Sequence, residues 1–86
     1  MTSFKVEWKK SAVKELRGLE KTAIKKIIAK VEKLSENPFQ DDVKKLVGSR
    51  QTYRKRVGKY RIIFEAVSDK LMVVVIKVGH RKNIYK

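Results

Sequence analysis

At 86 residues the chain makes one domain, spanning residues 1–86, with room for a modest core. Lysine and arginine number 23 against 9 Asp and Glu, a net charge of +14 that calls for a polyanionic partner: nucleic acid first, an acidic protein second, an anionic membrane surface third. The absence of Cys excludes a disulfide framework or thiolate metal site, one His with few carboxylates argues against a metal centre, and no apolar run approaches the ~20 residues that span a bilayer.

Phe4, Val6 and Trp8 alternate with Lys5 and Glu7, the period of a half-buried strand. The segment Met1 to Trp8 lacks the apolar core of a secretory signal, so a cytoplasmic location is expected. Ser11 is the expected N-cap of a short helix carrying Ala12, Val13, Leu16 and Leu19, which Gly18 interrupts or ends. A longer helix is predicted from Glu20 to Glu36, with Ile24, Ile27, Ile28, Val31 and Leu34 as its apolar stripe and Asn37-Pro38 as its stop. The two helices are expected to form an antiparallel pair. Residues 41–49 read as a connection, with Lys44, Lys45 and Arg50 as solvated charges.

The remainder reads as sheet, so the fold class is α+β: an N-terminal strand, a helix pair, then a three-stranded antiparallel meander with the helices on one face. In Tyr-Arg-Lys-Arg-Val-Gly-Lys-Tyr-Arg, 53–61, the glycine supplies the positive φ of a tight hairpin turn and makes Val57 and Tyr60 its flanking pair. Counting outward sets Arg56 opposite Arg61, and alternation puts Arg54 on the same face. Like charges directly opposite on neighbouring strands repel, so such a cluster suits an anion-binding role; a solvated basic face is the plain alternative.

Tyr60–Val67 and Lys70–Val78 are the next two strands, joined at Ser68-Asp69. A two-residue turn there pairs Arg61 with Ile76 and Gly58 with Gly79. The face towards the helices then carries Tyr60, Ile62, Phe64, Ala66, Leu71, Val73 and Val75. The other face carries the arginines with Ile63, Glu65, Met72, Val74, Ile76 and Val78, and Gly79-His80-Arg81 returns beside the first turn.

Three stretches together, Lys-Lys-Leu at 44–46, Tyr-Arg-Lys-Arg-Val-Gly-Lys-Tyr-Arg-Ile-Ile-Phe and Val-Val-Val-Ile-Lys-Val-Gly-His-Arg-Lys-Asn-Ile-Tyr, resemble the RelE/ParE toxin superfamily, most closely its RelE branch. The resemblance implies a toxin of a type II toxin–antitoxin system that cleaves mRNA in the ribosomal A site, without metal or cofactor. It implies a monomer when alone and a hetero-oligomer with an acidic antitoxin. By the same likeness Arg61 and Arg81 stabilise the scissile phosphate with help from Arg56, and Tyr85 moves a proton. Arg54, Lys55, His80, Lys82 and Lys45 make up the RNA-binding set. Arginine suits the phosphate role because its planar fork meets two phosphate oxygens and stays charged. His80 competes with Tyr85 for the proton step, since its unperturbed pKa lies nearest neutrality. Two other functions fit the same composition: a ParE-like DNA gyrase inhibitor, and a non-catalytic RNA- or ribosome-binding module.

Overall fold

The N-terminal alternation forms β1 (Lys5–Trp8), with Val6 and Trp8 half-buried and Lys5 and Glu7 exposed. In the computed structural model, which describes residues 3–40 and 42–80, it leads into α1 (Lys10–Arg17) and α2 (Lys21–Glu36). Then come β2 (Val43–Lys45), β3 (Thr52–Val57), β4 (Tyr60–Val67), a 3₁₀ turn at Ser68–Lys70 and β5 (Met72–His80). One five-stranded sheet results, in the order β1-β5-β4-β3-β2. The pairs are antiparallel except for β1 against β5, which is parallel. The α+β class and the meander of β3, β4 and β5 are as expected. The stretch read as a connection contributes an additional strand, β2, at the edge.

The helices cover one face of the sheet. Ala12 and Leu16 from α1 and Ile27, Val31 and Leu34 from α2 meet Val57, Ile62, Phe64, Ala66, Val73, Val75 and Val78 in one core. Each large side chain buried there contributes about 1.5–3 kcal/mol. Ile28 departs from the expected stripe, remaining 39% exposed, while Ala23 is buried in its place. Helix α1 begins two residues earlier than the Ser11 cap would have it, with its cap at Lys9. Lys9 occupies the cap position without a side-chain bond, because its ammonium has no acceptor to offer the first helical N–H groups; its own backbone N–H donates to the Val75 carbonyl at 3.0 Å, continuing the β1–β5 ladder. Gly18 ends α1, and its N–H donates to the Glu15 carbonyl at 3.2 Å.

The expected register between β4 and β5 is corrected in two steps. The connection is a 3₁₀ turn closed by Leu71 in the left-handed region (φ 49°), so Val67 faces Met72 rather than Lys70. A bulge then leaves Ile76 as an extra residue: Phe64 faces Val75, whereas Ile63 faces Lys77. Hence Arg61 stands opposite Gly79, not Ile76. The bulge also reverses the phase of the strand end, turning Val78 into the core (1% exposed) and Lys77 out of it. Leu71 belongs to the turn and is 39% exposed, not part of the helix-facing layer.

Beyond Trp8, no strand among the described residues lies beside the β1 edge of β5. Helix α1 fills that place: Glu15 accepts a hydrogen bond from the Val78 N–H at 3.3 Å and lies 3.8 Å from the Lys77 ammonium. The end of β5 is thereby held although its ladder has run out on that side.

A candidate anion site at the β3–β4 hairpin

The β3–β4 hairpin has the tight turn its sequence asks for. Gly58 takes φ 57°, Val57 faces Tyr60, and Arg56 faces Arg61 directly. Arg54 faces Ile63 on β4 and Lys44 on β2, so alternation brings Lys44, Arg54, Arg56 and Arg61 to the sheet face away from the helices. Together with Asp42 they line an open cleft of about 240 Å³. Gly79 extends the row beyond Arg61 and presents no side chain, and a methyl group added there would meet nothing within 4 Å.

The predicted site residues separate into groups. Arg54, Arg56 and Arg61 come together as expected. Lys55, assigned to RNA, is corrected: it points to the helix side and is only 3% exposed. Its ammonium is bound by the Asp42 carboxylate and lies 3.3 Å from Gln40 Oε1. A buried ammonium needs such partners, and these are what commit Lys55 to the interior. The same contact, chiefly the hydrogen bond from Lys55, holds the Asp42 carboxyl below its ordinary 3.8, with a smaller contribution from the charge of Lys30. Asp42 therefore stands at the rim of a basic cleft with its charge already engaged.

Lys45, exposed on β2, is not brought to the cleft. It pairs with Tyr53, whose ring packs on the core side, so it lies at the sheet edge away from the cleft. Its neighbour Lys44, read as a solvated charge, is the β2 residue that lines the cleft. His80 sits opposite Tyr60, with ring centroids 5.8 Å apart at 77°, on the opposite face from the arginines. Arg81, Lys82 and Tyr85 lie outside the described residues.

Three arginines and a lysine converging on one small cleft can hold a phosphodiester, because guanidinium groups bind two phosphate oxygens each and stay charged through any proton transfer. Among the described residues no three His, Asp or Glu side chains gather as a metal site would require.

The family described as the ParE toxin of the type II toxin-antitoxin system parDE matches residues 6–85. A curated relative from Methanocaldococcus jannaschii, "Putative toxin RelE1", is 34% identical over 96% of both chains. Among solved structures, the archaeal RelE-RelB complex from Pyrococcus horikoshii OT3 superposes with a TM-score of 0.82 at 28% identity, covering 96% of this chain and 99% of that one. The intact E. coli RelBE toxin-antitoxin complex gives 0.81 at 26% identity, over 91% and 96%.

Proposed function

The chain belongs to the RelE/ParE superfamily of toxins from type II toxin–antitoxin systems, and on that premise we propose that it is a metal-independent, ribosome-dependent mRNA endonuclease acting in the cytoplasm. The observation that carries this reading is the cross-strand pair Arg56–Arg61, set in one cleft with Arg54 and Lys44. Like charges set opposite one another on neighbouring strands repel, and an anion bound in the cleft offsets that repulsion.

In the proposed reaction the ribose 2′-oxygen attacks the adjacent phosphorus as its proton is taken up. The bond from phosphorus to the 5′-oxygen then breaks, and that oxygen is protonated. The products are a 2′,3′-cyclic phosphate and a 5′-hydroxyl. Arg61 and Arg56 neutralise the charge that builds on the pentacoordinate phosphate, a contribution of about 3–4 kcal/mol for one well-placed donor. Arg54 and Lys44 hold the flanking backbone. Arg81 and Lys82 add to the phosphate contacts and Tyr85 moves the proton, roles that rest on the family likeness. Arg54 and Arg56 do not relay protons, since guanidinium does not titrate in this range. The ribosome positions the strand and supplies groups this chain lacks.

The partner that restrains the toxin is an acidic antitoxin, as the RelB-bound relatives suggest. A gyrase-inhibiting function is the second reading, favoured by the parDE description of the matching family. Induced expression separates the two. RNA 5′ ends accumulating within coding regions support cleavage, whereas intact mRNA with trapped gyrase–DNA complexes supports the alternative.

A further inference from the structure

Among the described residues lining the arginine cleft, Lys44, Arg54, Arg56 and Arg61 are cations and Asp42 is an acid. A carboxylate in such company rivals the substrate, because it meets a guanidinium in the same two-point geometry as a phosphate. Here the carboxylate binds the ammonium of Lys55, the β3 residue opposite Val43, which lies on the helix side of the sheet. The pair is unsymmetrical. The Asp42 side chain is 60% exposed and can be served by water, whereas that of Lys55 is 4% exposed and cannot. The buried ammonium therefore needs the carboxylate more than the carboxylate needs the ammonium.

Lys55 is itself fixed in place. Gln40 Oε1 accepts from its ammonium at 3.3 Å, and Gln40 Nε2 donates to the Lys33 carbonyl of α2 at 3.2 Å. The Val43 N–H donates to the Gln40 carbonyl at 3.0 Å, so both residues that bind the ammonium sit on one short turn leading into β2. We propose that Lys55 is a positioning residue for the anion cleft: its ammonium keeps the Asp42 carboxylate turned to the helix side, so that Arg54, Arg56 and Arg61 meet a phosphate rather than an internal acid. Lys55 acts from the interior and does not touch the nucleic acid. Without its ammonium, the carboxylate two residues ahead of Lys44 is left to the cations of the cleft and competes with the phosphate for them. The role rests on the reading of this cleft as a phosphate site; it does not require that the RNA be cut.

The test is a double-mutant cycle on the affinity for a fluorescently labelled RNA hairpin made non-cleavable by 2′-deoxy substitution, read by anisotropy. The variants are Lys55→Met, Asp42→Asn and the two combined, with Arg61→Ala as the reference and a thermal melt of each. Lys55→Met is expected to weaken binding about fivefold, the upper end for one solvent-accessible charge interaction. Adding Asp42→Asn is expected to restore most of that loss, and to gain more affinity in the Lys55→Met background than in the unaltered chain, where the carboxylate is already held. Equal gains in both backgrounds, the mark of two independent charges, overturn the proposal. So does undiminished affinity in Lys55→Met, or a loss that follows a fall in Tm. A loss that Asp42→Asn does not repair also overturns it, and identifies Lys55 as a direct RNA contact. Affinity indifferent to Arg61→Ala removes the cleft as the phosphate site and the Lys55 role with it, whereas loss in Arg61→Ala but none in Lys55→Met overturns the Lys55 role alone.

Discussion

Arg61 on β4 stands directly across from Gly79 on β5, so the β5 position opposite this cleft residue carries no side chain. The glycine is not there for its backbone, because it does not adopt positive φ and a Cβ would meet no atom within 4 Å. A side chain there would stand beside Arg61 on the same face of the sheet. Gly79→Val should therefore fold normally, with an unchanged or higher Tm by circular dichroism. RNA cleavage should fall by about 100-fold, the scale of a small misplacement of the reacting groups. Full activity in Gly79→Val would remove Arg61 from the phosphate.

The arginine pair makes a prediction of the opposite sign for stability and activity. Arg56→Ala relieves a like-charge contact across the hairpin, so Tm should hold or rise slightly. Arg61→Ala should lower cleavage by at least about 100-fold. Thermal melts and single-turnover cleavage on the same preparations check both. A drop in Tm together with activity would mark the pair as structural.

Lys44 and Lys45 are neighbours in sequence that the sheet sends to different faces. Binding of a non-cleavable RNA measured against salt should distinguish them. Lys44→Ala lowers the slope of log K against log salt by about 1, the signature of one lost phosphate contact, while Lys45→Ala leaves it unchanged.

The ion pair between buried Lys55 and exposed Asp42 contributes to stability in acid. Asp42 is held below its ordinary carboxyl value of 3.8 in the folded chain. Its contribution is therefore complete above that value and is lost as pH falls through the lowered pKa, where the folded state must take up the proton. Asp42→Asn should cost about 1–3 kcal/mol at neutral pH, since it leaves a buried ammonium under-compensated while water screens the rim. It should also flatten the loss of stability in acid. Lys55→Met, which removes the charge but keeps the volume, should be close to neutral. Urea melts at neutral and acid pH measure all three.

What the sequence made legible follows from local chemistry. The Gly58 turn needs nothing beyond a residue tolerant of positive φ, and once it is placed, strand alternation delivers Arg54, Arg56 and Arg61 to one face. The end of β5 was hidden. Its run from Leu71 to Ile76 is apolar at every position, so no alternation betrays the bulge at Ile76 or shows that Val78, not Lys77, turns inward. The turn before it gave no signal either, because Leu71 takes a left-handed conformation that glycine or asparagine would have announced. Strand β2 has only three residues, too few for a period to emerge. Lys55 read as one more cation in a basic run, since its partner Asp42 lies 13 residues away and meets it only when β2 pairs with β3.

The central claim, that the arginine cleft cuts RNA held on the ribosome, is tested most directly by incubating the purified protein with ribosomes carrying a defined mRNA and identifying the product ends. The account predicts 2′,3′-cyclic phosphate and 5′-hydroxyl termini, formed with programmed ribosomes in the presence of a chelator, sparse on free mRNA and abolished by Arg61→Ala. Intact mRNA on programmed ribosomes, or cleavage that survives Arg61→Ala, would contradict it.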